Sequence, residues 1–202
     1  MKLLARPASP FACKVRVMVI ETRLLERVDV IMFDLIEDMK EKIPQYNPLG
    51  KIAALVRDDD SILFNSKLIY EYFNFLHAGP KWFPEDRESR WQTLQLQMLA
   101  DGFGEATIQM VIENMKPEEF RYQPAIHNQL QKLSRALAKL NKDVEALNGP
   151  ATIGPVSVAC GLGYVDFRIP DYDCRSDFPA FAKWNAEFYE RPSMTETAAA
   201  VD

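Results

Sequence analysis

The chain has 202 residues, 48% hydrophobic and 26% charged, which suits a globular protein of one large or two small domains. A net charge of −5 argues against general nucleic-acid binding, and no apolar run approaches the roughly 20 residues that span a bilayer. Cys13, Cys160 and Cys174 have unrelated spacings, which fit neither a disulfide framework nor a zinc motif, and only His77 and His127 remain as histidine ligands.

Lys2–Ala5 is short and apolar, as an opening buried strand would be. Arg6–Pro10 reads as a turn in which Ser9 caps a helix and Pro10 takes its first position. The helix from Phe11 to Glu21 puts Val15, Met18 and Val19 on one face, and Val28 to Phe33 follows as a second strand. A turn at Asn47-Pro48-Leu49-Gly50 leads to a strand from Ile52 to Val56, an acidic turn at 58–60 and a strand from Ile62 to Phe64. Asn65-Ser66 then opens a helix from Lys67 to Phe75, with Ser66 as the expected N-cap.

Gly79–Pro84 is punctuated like a linker, and beyond it the pattern becomes wholly helical. One helix is expected from about Asp86 to Met115, with Leu94, Met98, Asp101 and Glu105 on a shared face, and Pro117 ends it. A second runs from Pro124 to Leu147, with Leu130, Leu133, Leu137, Leu140 and Val144 as an apolar stripe. No secretory signal is apparent, the cysteines are expected unpaired, and both histidines are expected at the surface, so a cytoplasmic protein is expected.

Two motifs carry a resemblance. Ser9-Pro10-Phe11-Ala12-Cys13-Lys14-Val15-Arg16 is similar to the active-site turn of serine-type glutathione S-transferases, and Asn47–Ser66 resembles the second half of their thioredoxin-like domain. Gly154–Cys160, Gly163–Arg168, Phe178–Phe181 and Glu190–Ser193 extend the likeness along most of the chain. In the Gly154–Cys160 string, Ser157 matches the helix cap, while Cys160 stands where that capping box has an acid. Two other departures fall in the site: Ala53 replaces the family's cis-proline, and Asn65 replaces its acid.

The resemblance implies the glutathione S-transferase fold: an α/β thioredoxin-like N-terminal domain over 1–76, a linker over 77–83, and an all-α C-terminal domain over 84–202. It implies a transferase that conjugates glutathione, its co-substrate, to a small hydrophobic electrophile, in the manner of cytoplasmic detoxification enzymes. No separate cofactor or metal is implied; the partners would be those two small molecules and a second copy in a homodimer. Ser9 would be catalytic, donating a hydrogen bond to the glutathione sulfur, because the nucleophile is a thiolate and a free thiol ionises only near 8.5. Lys51, Ile52, Asn65 and Ser66 would hold the peptide, across an Ile52–Ala53 bond expected to be cis. Phe11 and the helix carrying Asp101 and Phe103 would line the electrophile pocket. Two rival readings use the same fold: a non-catalytic binder of a ligand or protein, suggested by Ala53 and Asn65, and a thiol reductase, disfavoured because Ser9 stands where that chemistry needs a cysteine.

Overall fold

The computed structural model describes residues 1–33 and 36–199. The expected carboxy-terminal end, 200–202, therefore lies outside the described residues. β1 (Lys2–Ala5), β2 (Asp29–Met32), β3 (Ala54–Val56) and β4 (Ile62–Phe64) form one sheet in the order β2-β1-β3-β4. β1 runs parallel to β2 and antiparallel to β3, and β3 pairs antiparallel with β4. Helices α1 (Pro10–Glu21), α2 (Ile36–Lys42) and α3 (Ser66–Leu76) complete a βαβαββα thioredoxin-like unit.

Strand alternation divides its interior between two faces. Leu3, Ala5 and Leu55 join α1 and α3 in the main core; Leu4 and Ala54 turn the other way, against Phe33 and Ile43. The strand expected from Ile52 starts later: pairing begins at Ala54, opposite Leu4, so Ile52 lies in the loop before it.

The rest is helical: α4 (Arg87–Asn114), α5 (Gln123–Lys142), α6 (Ile153–Arg168), α7 (Cys174–Asp177), α8 (Pro179–Tyr189) and α9 (Pro192–Thr197). Asp86 caps α4 by accepting from the Ser89 N–H at 2.9 Å, and the expected second helix ends at Lys142, with Val144–Leu147 as a separate 3₁₀ turn. α4 packs on α5 and α6, while α6 and α9 reach across to α1. No helix among the described residues is long and apolar enough to cross a membrane.

Within the segment expected to link the two halves, Trp82 and Phe83 are buried, the Trp82 N–H donates to Asn74 Oδ1 at 2.8 Å, and its C=O accepts from the Ile153 N–H. His77, expected at the surface, is instead buried at the end of α3, where desolvation lowers its pKa. His127 is exposed, as expected. Ser157 does not cap a helix. α6 starts five residues earlier with Thr152 as N-cap, leaving Ser157 buried within the helix; Pro155 fits the first turn because no intrahelical N–H bond is needed there. Cys160 consequently lies deep in α6, with its Sγ 3.3 Å from Cys13 Sγ.

Candidate functional site

The turn between β1 and α1 builds one wall. Ser9 has extended backbone (φ −85°, ψ 119°), and its Oγ accepts from the Ala12 N–H at 3.2 Å. That bond uses an oxygen lone pair and leaves the hydroxyl proton available for donation. Pro10 contributes no N–H, and the Phe11 N–H beside it has no acceptor among the described residues. The first turn carries no acidic side chain, so nothing there offsets the positive end of the helix.

The second wall is the loop before β3. Asn47 is buried and bonds in both directions: its Oδ1 accepts from the Leu49 N–H at 3.0 Å, and its Nδ2 donates to the Lys51 carbonyl at 2.7 Å. Gly50 closes the turn at φ +63°, a left-handed conformation that suits glycine. These bonds fix the approach to Ile52, and the Ile52–Ala53 peptide is cis, as expected. The Ala53 carbonyl accepts from the Asn65 N–H at 3.1 Å, tying this loop to the start of α3.

Asn65, rather than Ser66, caps α3. Its side chain accepts from the Lys67 N–H at 3.0 Å, and its φ of +79° is a conformation that Asn tolerates better than most residues. Ser66 is the first helical residue, and its hydroxyl and N–H have no protein partner among the described residues. It is therefore free to bind a carboxylate.

The structure brings all six expected site residues to one cleft. Ser9, Phe11, Lys51 and Ile52 line its larger part, a cavity of about 740 Å³. Phe11, Lys51 and Ile52 also border a smaller recess of about 170 Å³, together with Asn65 and Ser66. Asp101 lines that recess. Phe103 does not: it is buried in the core, its ring against Gly161 of α6, because it points from the other side of α4.

Lys14 is a member of the site's foundation that sequence reasoning missed. It is almost wholly buried, with its ammonium paired to Asp101 and lying over the rings of Phe11 (5.4 Å) and Tyr70 (5.7 Å). Burial lowers its pKa, and the Asp101 carboxylate opposes that shift. Lys67 approaches the other Asp101 oxygen at 3.5 Å. The only available signal was a lysine on the buried face of α1 and an aspartate on α4, too far apart in sequence to be paired by spacing.

Cys13 points away from the cleft. Its thiol lies 3.3 Å from the Thr197 carbonyl and within reach of Cys160, and burial pushes the Cys160 thiol well above its ordinary value. Among the described residues, no cluster of three or more His, Cys, Asp or Glu could hold a metal ion.

Residues 8–74 match the family described as "Glutathione S-transferase, N-terminal domain". Among solved structures, a glutathione transferase family member from Pseudomonas fluorescens Pf-5, crystallised with bound glutathione, is 37% identical, with 99% of each chain covered and a TM-score of 0.94. A glutathione S-transferase from Methylobacillus flagellatus KT, also with glutathione bound, is 31% identical over 98% of this chain and 99% of that one, with a TM-score of 0.90. An uncharacterised GST-like protein of Escherichia coli K12, YibF, is 26% identical over 98% of both chains.

Proposed function

The chain belongs to the glutathione S-transferase family, and on that premise we propose that it binds glutathione in this cleft and transfers it to a small electrophile. The smaller recess takes the γ-glutamyl end, where Ser66 offers a hydroxyl and a free N–H to its carboxylate. Ile52 and Lys51, which border both parts of the cleft, lie along the middle of the peptide. The sulfur then reaches the Ser9 hydroxyl at the start of α1. The observation that carries this reading is the division of labour at Ser9: its lone pair caps the helix while its proton remains for the sulfur. A hydroxyl donor plus the positive helix end stabilises S⁻ over SH, and each pKa unit of depression corresponds to about 1.4 kcal/mol.

Catalysis is thiolate attack on an electrophilic atom: a sulfur–carbon bond forms and the leaving group, or the displaced π pair, takes the electrons. Ser9→Ala should reduce conjugation of a model aryl halide by about 10–1000-fold, corresponding to roughly 1.4–4 kcal/mol of transition-state stabilisation. Cys13→Ala should retain activity, since Cys13 faces Thr197 rather than the cleft. The reverse pattern would remove Ser9 from the mechanism.

The proposal includes a cytoplasmic detoxification role and a homodimer built through α3 and α4. Leu68 and Phe75 on α3, and Trp91 and Met98 on α4, are large apolar side chains left exposed. Lys67 and Met98 meet at 3.3 Å, and Arg90 pairs with Glu71, so these two helices present adjoining surfaces.

A further inference from the structure

The larger part of the cleft is strongly electropositive within an acidic chain. Arg6, Lys51, Lys132 and Arg168 line it, against one carboxylate, Glu105. No carboxylate pairs with Lys51, Lys132 or Arg168 among the described residues; Lys132 donates only to Gln129, at 3.1 Å. Lys51 also borders the recess for the peptide, whereas Arg6, Lys132 and Arg168 border the larger cavity alone.

These three charges come from β1's outgoing turn, from α5 and from the end of α6. The Arg168 guanidinium is held in place by aromatic faces, 4.6 Å from the Phe167 ring centroid and 5.6 Å from that of Tyr164. Its Nε is buried without an acceptor among the described residues, an arrangement that is costly unless something else supplies one. Tyr164 lines the same wall, and burial raises its pKa, so its hydroxyl stays protonated as a donor. Arg168 and Tyr164 also share a side-chain hydrogen bond, but a purely hydrophobic second substrate would leave the buried Arg168 Nε without an acceptor.

We propose that the electrophile carries a carboxylate, bound by Arg168 and Lys132 with Tyr164 beside them, while its apolar body lies against Phe11, Ile108 and neighbouring side chains. The inference rests on the transferase reading and narrows its substrate class from hydrophobic to anionic amphipathic. Cations grouped in a low-dielectric cleft also raise the local concentration of an anionic substrate.

The test compares two aryl halides that differ only in charge, 4-chloro-3,5-dinitrobenzoate and 4-chloro-3,5-dinitrobenzamide, each with glutathione. In both, the thiolate sulfur bonds to the chlorine-bearing ring carbon, and chloride leaves with the carbon–chlorine electron pair. With each kcat/KM divided by the uncatalysed rate, the wild-type protein should prefer the benzoate by roughly 10–100-fold, the range of one or two charge-assisted hydrogen bonds. Arg168→Gln and, separately, Lys132→Gln should shrink that preference mainly through a higher KM for the benzoate, and added salt should shrink it in the wild type. Equal or greater efficiency with the amide would overturn the inference while leaving the transferase reading intact. Turnover of neither compound, with glutathione bound or not, would sink both.

Discussion

Buried Lys14 and Asp101 pose the sharpest energetic problem at the scale of single residues. Removing one partner strands a desolvated charge, which costs about 3–5 kcal/mol, whereas replacing both with apolar groups is often neutral. Asp101→Asn should therefore lower the unfolding free energy by about that amount, and adding Lys14→Met should recover most of it; urea denaturation of the three variants provides the check. If the single variant unfolds like the wild type, Lys14 does not depend on Asp101. Asn65→Ala should cost about 1–3 kcal/mol, combining a lost cap with the strain of positive φ in alanine. Ser9 was legible because Ser before Pro at a helix start has a local mechanism. Ser66 was expected as the cap in place of Asn65 because two adjacent polar residues both qualify, and only the backbone angle at Asn65 distinguishes them. Asp101 illustrates the other limit, since nothing local announces that an aspartate on a helix face will be buried against a lysine from α1.

Helix α6 shows how close packing carries the site. Gly161 lies where an added Cβ would sit 2.5 Å from a Phe103 ring atom, so α4 and α6 approach closely there. Phe103 is fully enclosed, and that ring cannot simply swing aside. Gly161→Ala should destabilise the fold by about 1–3 kcal/mol, despite alanine's better helix propensity; a higher Tm on thermal unfolding would refute the packing argument. The boundaries of α4 were read almost to the residue, because Asp86 caps it and Pro117 follows it. Its buried face was not. Leu94, Met98, Asp101 and Glu105 stack at helical spacing but include the exposed Met98 and Glu105, whereas Gln97, Ala100, Phe103, Thr107 and Met110 are buried. This 28-residue helix serves both the core and the cleft, so polar residues stand on its buried side and periodicity loses its contrast. The α6 cap was misplaced for a related reason: Ser157 is the stronger capping residue by type, but the chain becomes helical at Ile153.

Across the whole molecule, the last helix clasps the first. Glu21 at the end of α1 accepts from Arg191 at 3.2 Å and from Ser193 at 2.6 Å. Burial pushes its pKa up, but these hydrogen bonds outweigh it and hold the carboxyl below its ordinary 4.5. The unfolded chain therefore binds the proton more readily, so the clasp's contribution is complete above about pH 4.5 and is lost as pH falls through the folded-state value. Glu21→Gln should cost about 1 kcal/mol at pH 7, after allowance for solvent screening, and the difference from wild type should close below pH 4.5. A difference that persists in acid would assign the loss to packing. The two-part architecture was legible in the change from short apolar strands to long helical patterns, and the two motifs forty residues apart identified both walls of one cleft. The cationic lining of that cleft was not legible, because Arg6, Lys132 and Arg168 converge only when three separate elements meet.

The central claim is that this cleft holds glutathione with its sulfur against the Ser9 hydroxyl. Ultraviolet difference spectroscopy of bound glutathione, titrated with pH on the wild type and on Ser9→Ala, reads thiolate formation directly. The account predicts an apparent thiol pKa at least about one unit below the free value of 8.5 on the wild type, rising towards that value in Ser9→Ala. Bound glutathione that ionises identically on both proteins, or that does not bind at all, would contradict it.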